Sequence, residues 1–185
     1  MQWPDSRKKE AGEKLSDGKK AQPFYKKVPL YGMLVALAMV LSYVEAQIPV
    51  FYYVPGMKLG LTNLVIIMAL YRFGEKDAFL LNMLRIVLVS ITFSNVYSLW
   101  YSLAGGILSF IVMVLLKKTQ KFSVTGVSVA GAVAHNFGQI LVAVVVLSNS
   151  MLLYYFPVLL ISGTVSGFLI GLLGAKLMKH INYGG

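Results

Sequence analysis

Long apolar runs are the feature that most constrains how this chain can fold. Six of them follow a charged amino-terminal segment, at residues 28–48, 59–73, 78–94, 99–116, 125–147 and 152–178. Runs of about 18 or more apolar residues are typical of membrane-spanning helices. Only 13% of the residues are charged, against roughly a quarter in an average soluble chain. The sequence therefore predicts an all-α integral membrane protein with six transmembrane helices. Its domains are a charged tail over 1–27, a transmembrane domain over 28–180 and a short tail over 181–185.

The distribution of basic residues predicts how the helices are oriented. The first 27 residues hold eight Lys or Arg. Alternate connections and the carboxyl-terminal end carry seven more: Arg72, Lys76, Lys117, Lys118, Lys121, Lys176 and Lys179. The opposite connections carry only Lys58. By the positive-inside rule both termini are cytoplasmic in a bacterial plasma membrane. This pattern accounts for the net charge of +10 without a nucleic-acid partner.

Several classes of activity have no support in the sequence. There is no cysteine, which excludes thiolate metal sites and a cysteine nucleophile. No GxxxxGK[ST] phosphate loop occurs, and no acidic residue follows Asp77. Diphosphate chemistry requires clustered carboxylates that hold magnesium. We therefore expect no cofactor, no metal and no catalysis by this chain alone, although an accessory role beside a synthase stays open.

The segment PGMKLGLTN, residues 55–63, lies between the first two runs and on the predicted outer side. It is either an ordinary connection or a binding loop at the head of a helix. In the second interpretation the helix amino terminus attracts a carboxylate or phosphate. Gly60 allows close backbone approach, and Lys58 and Asn63 contact the ligand. In the first, Lys58 extends from the interface to water.

Ionisable and amide side chains inside the apolar runs are further candidates, because burying them in a membrane is costly. They are Glu45, Arg85 and His135, with Asn136 and Gln139 beside the histidine. One interpretation is structural: Glu45 neutralises Arg85 and the amides tie helices together. In the other, the excess of basic groups binds an anionic or polar ligand. Both remain open at the level of sequence.

Small and aromatic residues allow two interpretations in the same way. Gly163, Gly167 and Gly171 form a stripe that favours close helix packing, and Gly32 with Ala36 forms a shorter one that is suited to a partner protein. Trp100 lies in an outer cluster of aromatic residues. That cluster is typical of an interfacial belt, and it would also fit an outward-facing binding cavity.

Several segments together resemble a known membrane family. They are GMLVALAMVLSYVEAQIP, PGMKLGLTNLVIIMALYRFG, RIVLVSITFS, SLWYSLAGGILSF and AHNFGQILVA. The first is similar to the first helix of S components of energy-coupling-factor transporters. The others more closely resemble the related Gx transporter family, also called heptaprenyl diphosphate synthase component I. The resemblance covers about residues 30–179.

The resemblance to S components implies a six-helix protein that captures a vitamin-like metabolite. Gly32 and Ala36 would then dock a transmembrane coupling subunit that is driven by two ATPase subunits. S components commonly carry an Ala-x-x-x-Ala pattern there, and this chain has Gly32-x-x-x-Ala36. The synthase name implies an accessory subunit of polyprenyl diphosphate synthesis instead. A purely structural helix bundle is a third hypothesis.

Overall fold

The computed structural model describes residues 24–47, 60–93 and 96–183, and these residues form helices and turns without a strand. The six α-helices are α1 Phe24–Ala46, α2 Leu61–Arg72, α3 Glu75–Phe93, α4 Val96–Thr119, α5 Val124–Leu147 and α6 Phe156–Tyr183. Each predicted apolar run corresponds to one of them. The chain divides into two compact units, 1–33 and 34–185. The second unit contains α2 to α6 and the carboxyl-terminal part of α1.

Four segments are long and apolar enough to cross a membrane: Val28–Glu45, Ser98–Thr119, Val124–Leu147 and Ser150–His180. They belong to α1, α4, α5 and α6, with a short 3-10 helix, Ser150–Tyr155, leading into α6. The chain is thus a helical membrane protein. Four of the six predicted spans thus correspond to helices that are long and apolar enough to cross a membrane. α2 has only 12 residues, and α3 carries four charged side chains, Glu75, Lys76, Asp77 and Arg85.

The turn between α2 and α3 follows from local chemistry. Phe73 donates its backbone N–H to the carbonyl of Ala69 at 2.8 Å and ends α2. Gly74 follows with φ +97°, a left-handed conformation that glycine adopts without strain. Glu75 and Asp77 then occupy the first turn of α3, where negative charge interacts favourably with the helix dipole. This explains why α3 begins earlier than its apolar run.

Contacts at this turn show which end of the bundle it reaches. The Lys117 ammonium donates to the carbonyl of Leu70 at 2.7 Å and lies 5.2 Å from the centre of the Tyr71 ring. Lys118 pairs with Glu75 at 3.1 Å. The carboxyl end of α2 therefore lies level with the carboxyl end of α4.

The position of the opposite end of α2 follows from helix lengths. α2 has 12 residues and is about 18 Å long, because an α-helix rises about 1.5 Å per residue. α4 has 24 residues and is about twice as long on the same basis. Since their carboxyl ends are level, the amino terminus of α2 lies near the middle of α4 and not at the surface of the bundle.

Glycines bring α5 and α6 close together. A methyl group added to Gly167 would lie 2.8 Å from the Cα of Val129, and one added to Gly171 would lie 2.6 Å from the Cα of Thr125. Such distances leave no space for a side chain. The stripe on α6 therefore packs against α5 within one chain, as the packing interpretation predicted. Gly174 continues the stripe towards Ile67 of α2.

Candidate functional site

The amino terminus of α2 is held by an acidic side chain from α1. Gly60 precedes the helix with φ 70° and donates its backbone N–H to the Glu45 carboxylate at 2.7 Å. Asn63 in turn donates its backbone N–H to the carbonyl of Gly60 at 2.8 Å. A carboxylate of the protein itself thus accepts the Gly60 N–H, at the helix terminus where one of the two interpretations of the sequence places an anionic ligand.

Arg85 of α3 approaches the same helix turn. Its Nη1 donates to the Thr62 hydroxyl, and its Nη2 donates to the Asn82 side-chain oxygen at 3.0 Å. The side chain is buried, with 8% exposure. Thr62 is the second residue of α2, so the guanidinium lies beside the first turn of that helix. An arginine in this position offers donors in a planar arrangement that suits a carboxylate or phosphate.

Glu45 and Arg85 lie close enough for their opposite charges to interact. Both are buried, and both contact the start of α2 from different helices. The expectation that Glu45 neutralises Arg85 therefore agrees with the structure. The mutual attraction offsets part of the cost of removing the two charges from water.

Asn82 extends the network to α4. Its side-chain nitrogen donates to the carbonyl of Gly106 at 3.2 Å. A methyl group on Gly106 would collide with the Ile86 side chain, so α3 packs directly on the α4 backbone at this point. A larger residue at position 106 would separate the two helices and break the Asn82 contact.

Gly105, next to Gly106, lies on the face of α4 that packs against α5. A methyl group on Gly105 would lie 2.8 Å from the Gln139 side chain and 2.8 Å from the backbone oxygen of His135. Gly138 of α5 is equally close to α4, because a methyl there would lie 2.8 Å from the Ala104 oxygen. α4 is therefore in contact with α3 and α5 at the same height.

Asn136 links α5 to α6. Its side-chain nitrogen donates to the carbonyl of Leu159 at 2.7 Å, and the bond is buried. This contact agrees with the structural interpretation, in which amide groups tie helices together. Gln139 is also buried, and its side-chain oxygen has no hydrogen-bond partner among the residues that the structure describes.

These contacts form one continuous set, which we call the polar layer. It comprises Thr62, Asn82, Arg85, Gly105, Gly106, His135, Asn136 and Gln139, and runs from α2 through α3, α4 and α5 to the Leu159 carbonyl of α6. It crosses α4 near its midpoint. Glu45 and Gly60 join it at the amino terminus of α2.

Other predicted residues fall elsewhere. Lys58 lies outside the described residues. Trp100 is 59% exposed, which suits a ring at the membrane interface better than a buried contact. Ala36 is exposed, and a methyl group on Gly32 would meet no atom within 4 Å. Among the described residues no three His, Asp or Glu side chains lie together as metal ligands would.

Some members of the polar layer were not identified from the sequence as individual residues. From the sequence alone, Thr62 is only part of the start of α2, and no site role is predicted for Asn82 or the Gly105–Gly106 pair. Asn82 lies three residues before Arg85, on the same helix face. An amide inside an apolar helix and next to a buried cation was a signal that could have identified it.

One comparison with known proteins gives a match over a region that contains the whole of this network. A model of the family named heptaprenyl diphosphate synthase component I matches residues 34–177. No curated protein and no solved structure matches the chain. The matched residues extend from α1 to α6, and they include the polar layer, Glu45 and Gly60. The chain therefore belongs to the heptaprenyl diphosphate synthase component I family.

Proposed function

We propose that this protein is the membrane-embedded binding component of an uptake system for a small anionic or polar metabolite, with transport energised by partner subunits. The observation that carries the proposal is the amino terminus of α2, which lies at mid-bundle beside the buried guanidinium of Arg85. Transporters commonly place a helix amino terminus near the middle of the bilayer, where it faces anionic groups of the substrate.

The charge and position of the site support this function over a structural role alone. A membrane bundle needs neither a buried arginine nor a helix that begins halfway across it. Charged side chains are expensive in a membrane and are found mainly on substrate or ion pathways. Lys58 precedes Gly60 by two residues and would add a second positive charge at the outer mouth of the site. His135 and Gln139 would supply hydrogen bonds to polar parts of the ligand.

The orientation and partners belong to the same proposal. Both termini are cytoplasmic in a bacterial plasma membrane, and the α2 amino terminus faces the outside. Gly32 and Ala36 of α1 dock a transmembrane coupling subunit, which two ATPase subunits drive. The chain itself catalyses no reaction.

Native mass spectrometry of the protein extracted in mild detergent tests the binding function directly. We expect a small molecule to be retained by the wild-type protein and by Lys76→Ala, which changes an exposed residue at the opposite end of α2. Lys58→Ala and Arg85→Ala should lose it. Equal ligand content in all four proteins, together with unchanged uptake into cells, would show that the site is assigned wrongly.

The family match favours a second function, that of an accessory membrane subunit of heptaprenyl diphosphate synthesis. In that case Arg85 and Lys58 would meet the diphosphate group of the prenyl substrate. Affinity purification separates the two. Recovery of a coupling subunit with ATPases supports uptake, and recovery of a soluble prenyl-elongating synthase without them supports the accessory role.

A further inference from the structure

The Glu45 carboxylate occupies a position that an anionic ligand would be expected to take. It accepts the Gly60 N–H at 2.7 Å, the distance typical of a charge-assisted hydrogen bond. Gly60 is the residue before the first turn of α2, where the helix dipole favours negative charge. The protein thus satisfies this amide with one of its own carboxylates.

The location of Glu45 in α1 is unfavourable for that helix. It lies in the last turn of α1, which has no basic residue, and a negative charge is disfavoured by the dipole at a helix carboxyl terminus. Its burial is compensated by α2 and by the charge of Arg85. A residue that breaks a local rule in this way commonly serves a functional site.

A second observation shows that the site has further capacity to bind an anion. Arg85 is buried, and its Nη1 and Nη2 atoms are engaged with Thr62 and Asn82. Its Nε has no acceptor among the described residues. A buried guanidinium N–H without a partner costs free energy, and an oxyanion in contact with Nε would relieve that cost.

We propose that Glu45 is an internal competitor of the ligand: an oxyanion, either carboxylate or phosphate, binds at the amino terminus of α2 by displacing the Glu45 side chain from the Gly60 amide. This inference rests on the proposed binding function and adds how the site selects its ligand. A ligand is retained if its anionic group interacts more strongly with the Gly60 amide and Arg85 than the Glu45 carboxylate does. Anions that interact more weakly than Glu45 are excluded.

The test uses the full chain in detergent with inorganic phosphate as the probe, and calorimetric titration gives its dissociation constant. Two variants separate charge from occupancy. Glu45→Gln removes the charge but keeps an acceptor of the same shape, whereas Glu45→Ala vacates the amide. Glu75→Gln is the matched control, because it removes an acidic residue at the opposite end of α2.

We expect Glu45→Ala to bind phosphate at least about tenfold more tightly than the wild type, since a charge-assisted hydrogen bond contributes about 1.5–3 kcal/mol and about 1.4 kcal/mol is a factor of ten. Glu45→Gln should give a smaller gain, and Glu75→Gln none. Equal gains in the two Glu45 variants, or no gain in either, would overturn displacement at the amide.

The double variant Glu45→Gln, Arg85→Gln separates this inference from the proposed function. It removes both charges together and so leaves neither buried without its partner. We expect it to lose phosphate binding. Binding that persists lies elsewhere on the chain and contradicts the anion site itself. The other outcome is that the double variant loses phosphate binding while Glu45→Ala shows no gain. That outcome contradicts only the competition between Glu45 and the ligand.

Discussion

Arg85 connects three other buried polar side chains in the interior of this protein. Its guanidinium binds Thr62 and Asn82 and balances the charge of Glu45. Each of these groups is buried and loses contact with water on folding. A polar group buried without a partner costs more than the bond contributes when it is made. The four side chains are therefore energetically interdependent.

Replacing Arg85 should destabilise the protein whether or not ligand is present. We expect Arg85→Ala to cost about 3 kcal/mol, because it leaves Glu45 buried without its opposite charge. Arg85→Lys should cost less, since the ammonium keeps the charge but cannot contact Thr62 and Asn82 in the same geometry. Unfolding in mixed micelles of increasing SDS content measures both. Lys76→Ala, at an exposed position, is the control and should match the wild type. An Arg85→Ala variant as stable as the control would show that the network contributes little.

The sequence identified the charged members of this site better than the uncharged ones. Arg85, Glu45 and His135 interrupt apolar runs, and the cost of burying them makes them visible without a structure. Thr62 and the Gly105–Gly106 pair are common in membrane helices. Their importance depends on which helices lie beside them, and a single sequence does not contain that information. The same is true of Glu45 as an acceptor for Gly60, because the contact joins residues 15 positions apart.

At the scale of helices, α2 is short, and both of its ends make hydrogen bonds to side chains of other helices. Glu45 and Arg85 hold its amino terminus, and Lys117 holds its carboxyl terminus through the Leu70 carbonyl. The terminal carbonyls of a helix lack partners within it, so a lysine donor there stabilises both the helix and its position. The second apolar run, residues 59–73, is the shortest of the six in the sequence. Its contact with Lys117 was not foreseeable, since lysines near a membrane surface usually point into water.

Removing the Lys117 contact should loosen α2 at its carboxyl end. We expect Lys117→Met, which retains the length of the side chain, to lower stability by about 1–2 kcal/mol through the lost hydrogen bond and the lost interaction with the Tyr71 ring. Lys121→Met is the matched control, because Lys121 is exposed. Amide hydrogen exchange of α2 provides the measurement. Faster exchange in Lys117→Met alone supports the assignment, and equal exchange in both variants contradicts it.

The glycine stripe of α6 should be intolerant of even a methyl group. We expect Gly171→Ala to cost about 1–3 kcal/mol, because the added carbon collides with the backbone of Thr125 and separates α5 from α6. Gly32→Ala has open space and should be neutral or stabilising by up to about 1 kcal/mol, since alanine favours helices. Thermal unfolding in detergent compares the two. A Gly171→Ala variant as stable as Gly32→Ala would contradict the packing described for α6.

At the scale of the whole molecule, the number of spans does not alter the predicted orientation. If α2 and α3 both cross the membrane, there are six spans; if they dip into it as a pair, there are four. Both numbers are even, so the two termini share a side in either case. Leu70 and Glu75 both contact the carboxyl end of α4. These contacts favour six spans, because they place the turn between α2 and α3 on the same side of the membrane as that end of α4.

The absence of cysteine makes this topology straightforward to test. Single cysteines at Lys76, Lys121 and Ser150 lie at exposed positions in different connections. We expect a membrane-impermeant maleimide to label Ser150→Cys in intact cells, and to label Lys76→Cys and Lys121→Cys only after permeabilisation. Labelling of Lys121→Cys in intact cells would show that the orientation is opposite to the predicted one. Labelling of Lys76→Cys in intact cells would show that α2 and α3 do not cross.

The glycine surface between α5 and α6 also has a mechanical consequence. Helices that interlock through large side chains must repack in order to move, whereas a smooth backbone surface resists axial shear only weakly. Shear between packed helices is one of the established modes of conformational change in proteins. Along this surface the Asn136–Leu159 hydrogen bond is a directional contact that opposes sliding of α6 against α5.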